Sequence, residues 1–531
     1  MADKNQKVFY RPEFYLILST LLGSAALTVS SFGSNLYRDV AYCYAYAIRE
    51  AALYGTWDYV LDPGLPIFSM LTSVPFALCG LEASHALMLT CGIFWIATIF
   101  PLYFLLKRFI SPIAASVGTL LFILAPKLLR FSCAGMPEAP RNFFLVLAFL
   151  MLFKLLERKS FQNIFFFALS LAGLATARSE GFAISAAFIL LVLGNEIWLM
   201  RRYFSLKGLL RPILLCSAVV ALFLLFLSPK LIYNYEKTGY PTIDTRYNPY
   251  LNILHFDRFT NLPEDYPPPR SIAESAAAYK DSATFPWKKN LKAALTNTFR
   301  GAYELYFALG LIGLFGCIFH FSRIYKHTQQ EIPEIVQKGW RIEYTDALII
   351  ILLHEILYFT DCSAYRYYTF LLPLMLPFTM LALSCIWNTA KILPYRRYSC
   401  AFLILAGCAI AITQLGNGLD FTFRNAEERE AGLFLQKHSE NFRKGENKRL
   451  RIYTGYPEIA YYSGFEYTNS SLNSKSKKLT AKENEFDLAI FEQKNKKWEF
   501  FAKKHNLVEW TAHPYSKFMR ILIPKQKTGV P

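Results

Sequence analysis

Residues 14–29 read FYLILSTLLGSAALTV, and residues 37–42 read YRDVAY. The first stretch is apolar over nearly the length at which an α-helix crosses a bilayer, about 20 residues at 1.5 Å each. It follows a basic segment and no small-residue cleavage site stands out, so we predict an uncleaved membrane-spanning helix over 13–31. Asp39 then follows just beyond the membrane, where a carboxylate is costly enough to suggest a function.

Apolar stretches recur along most of the chain. Of its 531 residues, 54% are hydrophobic, 16% are aromatic and 18% are charged, and the mean hydropathy is +0.24. A soluble protein of this length would carry more charge, so the composition predicts an integral membrane protein. The net charge of +18 comes from basic residues clustered between the apolar stretches, which is typical of cytoplasmic loops, and no nucleic-acid partner is expected.

We predict an all-α polytopic membrane domain with about 11 spanning helices and additional interfacial helices. The predicted spans are 13–31, 83–106, 112–131, 140–156, 163–177, 181–200, 212–231, 302–322, 345–360, 368–387 and 399–416. With these spans every basic cluster falls on one side, which the positive-inside rule makes cytoplasmic. This agreement requires that 66–80 does not cross but lies in the outer interface or forms a re-entrant segment.

The opposite, extracytoplasmic side then carries the loop 32–65. Apolar and charged residues alternate at helical spacing over 36–53, which predicts a helix along the outer surface.

The composition changes sharply after the last predicted span. We therefore divide the chain into a membrane domain, 1–416, and a C-terminal domain, 417–531, on the extracytoplasmic side. Short apolar runs and one helical pattern predict a small α/β fold for the second domain. The runs are 450–453, 486–491 and 518–523, and the helix is 426–437.

Six of the ionisable side chains that map to the extracytoplasmic face are candidate site residues: Arg38, Asp39, Glu138, Arg178, Glu180 and Arg366. Acids and arginines that converge on one membrane face usually line a cavity, so we predict a site there. Asp39 and Glu138 are the candidate catalytic acids. Each also has a simpler alternative, since Asp39 could pair with Arg38 and Glu138 could stabilise the start of a helix.

The other candidates differ in their surroundings. Arg178 and Glu180 are separated by one residue, and the simplest interpretation is an ion pair across a turn. Arg366 lies among tyrosines, where its guanidinium is suited to bind a lipid phosphate with two hydrogen bonds. The alternative for Arg366 is a side chain that reaches from the end of a span to the interface.

Other chemical templates do not fit the chain. It has no GxxxxGK[ST], no HExxH, no GxSxG, and no GxGxxG after a strand. Its ten cysteines are scattered without a CxxC pair, so neither a disulfide framework nor a zinc site is indicated. We expect no metal and no cofactor.

Several short motifs occur in a familiar order after Asp39. They are Gly55-Thr56-Trp57, Asp62-Pro63-Gly64-Leu65-Pro66, Ala125-Pro126-Lys127-Leu128-Leu129, Glu138, Gly173 to Gly181, Asn234 to Pro241, and Tyr365-Arg366-Tyr367. Over about the first 390 residues this order resembles the GT-C fold glycosyltransferases that use polyprenyl-phosphate sugars. The resemblance is greatest to the group of dolichyl-phosphate-mannose–protein mannosyltransferases and lipid A aminoarabinose transferases.

The resemblance implies an inverting transfer of a sugar from a polyprenyl-phosphate donor to a lipid-linked, glycan or protein acceptor. It implies Asp39 as the general base and Glu138 as the second acidic position, with Arg366, and next Arg178, on the donor phosphate. Arg38 and Glu180 are further candidates. The protein would be a multi-pass protein of a bacterial plasma membrane, surrounded by membrane lipids, with its active site outside the cytoplasm.

The chain departs from the family pattern at two points. Where lipid A transferases often have Lys-Pro-Pro, this chain has Pro63-Gly64-Leu65-Pro66 and so lacks the lysine that would contact the donor phosphate. The long outer loop shows no sugar-binding domain, so a protein acceptor is not favoured.

The competing functions are a lipid or polysaccharide transporter and a membrane-anchored scaffold. Charges at one interface and the absence of repeated halves favour the enzyme over a transporter.

Overall fold

The computed structural model of the chain describes much of both predicted domains. The described residues are 11–33, 40–61, 67–178, 180–200, 206–238, 292, 296–298, 300, 305–314, 349–350, 369–392, 398, 407, 409, 413, 426–442, 450–454, 456–469, 487–492, 498–510, 513–514 and 519–525. Arg38, Asp39 and Arg366 lie outside them, as do nearly all of the predicted spans 345–360 and 399–416.

The first domain is helical throughout its described part. Its helices are α1 (Pro12–Gly33), α2 (Tyr46–Tyr54), α3 (Ile67–Leu78), α4 (Ala83–Ala97), α5 (Ile99–Leu106), α6 (Pro112–Ile123), α7 (Pro126–Cys133), α8 (Glu138–Glu157), α9 (Phe161–Ala177), α10 (Glu180–Met200), α11 (Leu206–Thr238), α12 (Leu305–Leu314) and α13 (Leu371–Ile392). A π-helical turn, Val40–Ala45, leads into α2.

Local sequence sets several of these helix ends. Ser111 accepts a hydrogen bond from the Ala114 amide at 3.3 Å and precedes Pro112, two signals that start α6. Ser160 caps the first turn of α9 in the same way. Gly55 ends α2 with a φ of 67°, a left-handed conformation that glycine adopts without a Cβ clash.

Among the described residues, five helical segments are long and apolar enough to cross a membrane, or up to six if a bent pair counts as one span. They are Pro12–Val29, Ala83–Leu106, Glu138–Glu157, Glu180–Trp198 and Leu210–Glu236. All five overlap predicted spans. The chain is therefore a multi-pass membrane protein, as its composition predicted.

The predicted span 112–131 is not one straight helix. Instead, α6 and α7 meet at an angle of 56°. Pro126 stands in the first turn of α7, where its missing N–H needs no partner. Inside a continuous helix the same ring would clash with the carbonyl of the preceding turn, so the helix stops and restarts in a new direction.

Two predictions about the outer interface concern neighbouring segments. Within the predicted helix 36–53, the described part is the π-helical turn Val40–Ala45 followed by α2, so the helix is wider than an α-helix at its start.

The 12 residues of α3 lie within 66–80. They span about 18 Å, less than the hydrocarbon core of about 30 Å. That 66–80 does not cross stays a prediction that this length supports.

Helices α8, α9 and α10 pack closely because small residues face their neighbours. A Cβ on Gly173 would lie 2.3 Å from a phenylalanine ring of α8, and a Cβ on Gly181 would lie 2.0 Å from the Leu174 carbonyl oxygen. The Ser185 hydroxyl donates to the Leu171 carbonyl at 3.0 Å, which ties α10 to α9. Small residues and hydrogen bonds of this kind hold membrane helices together where water is absent.

Charged pairs mark one end of the helical domain. Arg108 Nη2 lies 2.5 Å from Glu157 Oε1, and Lys159 Nζ lies 2.6 Å from Glu196 Oε2. The basic members of both pairs belong to the clusters that the sequence places in the cytoplasm. The opposite end carries the starts of α4, α8 and α10, and a second group of charges.

The C-terminal domain contains a five-stranded mixed sheet with the strand order β2-β1-β3-β5-β4. Strand β1 pairs in parallel with β2 and β3, and β5 pairs antiparallel with β3 and β4. The elements are α14 (Ala426–Lys437), β1 (Arg451–Thr454), α15 (Pro457–Ser463), β2 (Glu466–Asn469), β3 (Leu488–Glu492), α16 (Trp498–His505), β4 (Leu507–Trp510) and β5 (Met519–Pro524).

Helices cover both faces of this sheet. Ile452, Ile490 and Ile521 pack with α14 and α15 on one face, while Tyr453 and Leu522 pack with α16 on the other. The α/β prediction is therefore confirmed, and α14, β1, β3 and β5 lie where the apolar runs placed them. The short elements β2, β4, α15 and α16 were not predicted from the sequence, because their apolar runs are shorter.

Candidate active site

Four charged side chains meet where α8 begins, α9 ends and α10 begins. Arg178 Nη1 lies 3.0 Å from Glu138 Oε1, and Arg178 Nε lies 2.5 Å from Glu180 Oε1. Arg141 Nη1 lies 3.4 Å from the same oxygen of Glu180. We call Glu138, Arg141, Arg178 and Glu180 the buried cluster. The sequence had predicted three of its members.

Glu138 is the most enclosed acid of the buried cluster. It stands in the first turn of α8, where the helix dipole favours a negative charge, so its capping interpretation holds. It is fully buried. Its Oε1 accepts from Arg178, but its Oε2 has no hydrogen-bond partner among the described residues. A buried carboxylate oxygen without a donor is costly unless something else supplies one, such as a substrate hydroxyl.

Arg178 connects two acids with two different nitrogens. The ion pair with Glu180 across the turn is the simplest interpretation of the sequence, and the structure contains it. The longer reach to Glu138 was not predicted. A planar guanidinium suits such a fork because its donors diverge at fixed angles. Arg178 therefore bonds to protein carboxylates.

Arg141 was missed by the sequence analysis. It is fully buried, and its Nη2 donates to Thr369 Oγ1 at 2.9 Å. Its guanidinium also lies over the Phe370 ring, 5.7 Å from the ring centroid. The sequence feature that could have identified Arg141 is its position three residues after Glu138, which puts both side chains on one face of α8.

Asp39 and Arg366 lie outside the described residues, but chain neighbours of both reach this end of the domain. Val40 is fully buried, and a Cβ on Gly135 would lie 3.3 Å from Val40 Cγ1. Gly135 belongs to the turn that leads into α8. Thr369, three residues after Arg366, bonds to Arg141 of the buried cluster.

Two carboxylates and two guanidinium groups balance one another within the buried cluster. Such a network tolerates burial because each charge has a partner, whereas removal of one partner typically costs about 3–5 kcal/mol. Among the described residues, no three His, Cys, Asp or Glu side chains come together in a way that could hold a metal ion. The carboxylates of the buried cluster can accept hydrogen bonds and protons, and its guanidinium groups can donate hydrogen bonds.

Comparison with known proteins gives matches to structures only. No family model and no curated protein sequence matches the chain. ArnT from Cupriavidus metallidurans bound to undecaprenyl phosphate is similar with a TM-score of 0.59 and 12% identity, over 96% of this chain and 97% of that chain.

An archaeal enzyme gives a similar result. The oligosaccharyltransferase of Archaeoglobus fulgidus in the apo form has a TM-score of 0.57 and 12% identity, over 93% of this chain and 71% of that chain. Its complex with an inhibitory peptide and a dolichol-phosphate has a TM-score of 0.53 and 12% identity, over 92% of this chain and 70% of that chain. Likeness at this identity establishes architecture, and the chain has the GT-C fold of these membrane glycosyltransferases.

Proposed function

We propose that the chain is an integral membrane glycosyltransferase that uses a polyprenyl-phosphate sugar donor. The acceptor is a lipid-linked molecule, a glycan or a protein on the extracytoplasmic face, and transfer proceeds with inversion. The observation that carries the proposal is the open oxygen of Glu138 at a buried helix start, within a GT-C fold. Similar structures hold undecaprenyl phosphate and dolichol-phosphate, which supports a polyprenyl carrier.

The proposed step is a single displacement. The acceptor oxygen bonds to the anomeric carbon from the face opposite the phosphate, and the bond from that carbon to the phosphate oxygen breaks. Asp39 takes the acceptor proton as general base. Polyprenyl phosphate leaves with the electron pair, and Arg366 stabilises its charge, with Arg38 as a second candidate.

The buried cluster has a supporting part in this step. Glu138 Oε2 accepts a hydrogen bond from a hydroxyl of the acceptor or the transferred sugar. Arg178 holds the other oxygen and so fixes the orientation of the carboxylate. Glu180 pairs directly with Arg178, and Arg141 pairs with Glu180. Both residues therefore help to hold Arg178 in place. We therefore assign Arg178 to orientation of Glu138 and leave the donor phosphate to arginines of the loops.

The test is sugar transfer in membranes that contain the full chain and a labelled polyprenyl-phosphate sugar. Asp39→Asn should abolish transfer while the protein remains inserted. Asp58→Asn is the matched control, since Asp58 lies in the same loop, is exposed and accepts from Tyr233 at 3.0 Å. Its activity should equal that of the wild type. Full activity of Asp39→Asn would remove the base assignment, and no transfer by the wild type with any carrier sugar would overturn the proposed function.

A further inference from the structure

Tyr461 of the C-terminal domain is inserted into the helical domain. It is 5% exposed and belongs to the main hydrophobic core of the helices. Its hydroxyl accepts from the Ser84 amide at 3.0 Å and donates to Glu82, both at the start of α4. Its carbonyl accepts from Arg49 Nη1 at 2.9 Å, and the Arg49 guanidinium lies 5.0 Å from the centroid of its ring.

The hydroxyl of Tyr461 remains a donor at neutral pH. Burial and the neighbouring Glu82 carboxylate raise the pKa of Tyr461 above its ordinary value. Burial alone would raise the pKa of Glu82, but hydrogen bonds from His85, Tyr461 and the Ser84 amide outweigh it and lower the pKa. Donor and acceptor thus keep the protonation states that the contact needs.

The elements that Tyr461 contacts are those that follow Asp39 in the chain. Arg49 lies in α2, which continues the turn Val40–Ala45, and α15 packs against that turn as well. Val40 at the start of the turn is fully buried. Tyr461 therefore joins the start of α4 to helix α2, and the helix that carries it, α15, also packs against the turn after Asp39.

The interface beside Tyr461 is not filled. A cavity of about 230 Å³ lies there, between His85 and Met88 of α4 and Arg429 and Leu433 of α14. Such a space is large enough for several water molecules, so apolar packing does not seal the contact on this side. The hydrogen bonds of Tyr461 and Arg49 therefore add to the apolar packing of the Tyr461 ring in holding the two parts of the chain together.

The position of α15 in its own domain is also consistent with a docking role. This helix follows the carboxyl end of β1, the edge at which parallel α/β sheets usually bind ligands. Here the helix after β1 is α15, which contacts the helical domain. The C-terminal domain therefore presents this part of its sheet edge to the membrane part of the chain.

We propose that Tyr461 is a positioning residue, through which the C-terminal domain fixes the turn Val40–Ala45 and α2. This rests on the proposed function only for its effect on catalysis, since that turn directly follows the proposed base. The domain then acts on transfer without touching substrate, by holding the backbone next to Asp39 in one arrangement.

The test uses the full chain with Tyr461→Phe, which keeps the ring and removes the hydroxyl. Hydrogen exchange of residues 40–54 should accelerate by about fivefold, the equivalent of one lost hydrogen bond. The value of kcat for sugar transfer should fall by about three- to tenfold while the donor KM changes by less than about twofold. Tyr453→Phe is the control, because its ring stacks on Phe501 inside the C-terminal domain, and residues 40–54 should exchange as in the wild type.

A second variant covers the case in which Tyr461→Phe folds poorly. Glu82→Gln changes the membrane side of the same contact and should accelerate the same exchange. In the double variant the two effects should not add, because both remove one interaction. Unchanged exchange at 40–54 in both variants would overturn the proposal, and so would accelerated exchange with an unchanged kcat. If the wild type transfers no sugar, the proposed function fails, while the exchange data still decide whether Tyr461 holds the turn.

Discussion

Arg178 Nη1 lies 3.0 Å from Glu138 Oε1, across 40 residues of sequence. The contact joins the end of α9 to the start of α8, and the second oxygen of Glu138 has no hydrogen-bond partner among the described residues. An ion pair that served stability alone would gain from hydrogen bonds to both oxygens. This asymmetry supports the proposal that Arg178 orients the Glu138 carboxylate, and several consequences can be measured.

Glu138→Gln keeps the size of the side chain and removes its charge. We expect sugar transfer to fall by about 100-fold or more, because an amide is a weaker hydrogen-bond acceptor than a carboxylate and loses the ion pair with Arg178 that fixes its orientation. Glu157→Gln is the matched control at the opposite end of α8, where the acid is exposed and pairs with Arg108. Its transfer rate should stay within about twofold of the wild type. Equal rates for both variants would contradict the role of Glu138.

Arg178→Lys separates orientation of Glu138 from binding of the donor. A lysine has one ammonium and cannot bond both glutamates with the geometry of a guanidinium fork. We expect kcat to fall by about 10-fold or more, with a donor KM within about twofold of the wild type. Steady-state kinetics with varied donor would measure both. A raised KM with unchanged kcat would instead assign Arg178 to the donor phosphate.

Gly181→Ala tests the close approach of α9 and α10. The new Cβ would lie 2.0 Å from the Leu174 carbonyl oxygen, so the two helices must separate. We expect destabilisation of about 2 kcal/mol or more, seen as a lower unfolding temperature in detergent. Gly194→Ala lies in the same helix with no atom within 4 Å of the new Cβ, and it should unfold like the wild type or slightly later. Equal melting of the two variants would be inconsistent with this packing.

His513 makes the C-terminal domain sensitive to acid. Burial lowers the pKa of His513, and the opposing effect of Glu509 does not cancel it. Because the unfolded state binds the proton more readily, stability is complete above the ordinary value of about 6.5 and declines as the pH falls through it. Limited proteolysis of the domain in the full chain should therefore accelerate from pH 7.5 to 5.5. His513→Asn should flatten that response, and an unaltered response would assign it to other groups.

Two engineered cysteines test the predicted sides of the membrane. In a variant with all ten cysteines replaced by serine, Lys503→Cys in α16 should react with an impermeant reagent in intact cells. Arg158→Cys, exposed between α8 and α9, should react only after lysis. The reverse pattern would invert the positive-inside assignment.

The features that could be predicted from the sequence are those that leave a local pattern in it. Long apolar runs placed the five spans found among the described residues, and the change in composition after 416 predicts a second domain. The bend at Pro126 was not predicted, because this single proline stands within an otherwise continuous apolar run. Arg141 was missed because its complete burial is a property of packing. The contact of Arg49 with Tyr461 joins residues 412 positions apart, a separation at which no pattern in a single sequence is informative.

The balance of charge in the buried cluster has an electrical consequence. A membrane potential does work of about 2.3 kcal/mol per 100 mV on each unit charge that moves across it. Glu138, Arg141, Arg178 and Glu180 contribute two charges of each sign within one set of contacts. The voltage therefore does little net work when these four side chains move together as a unit.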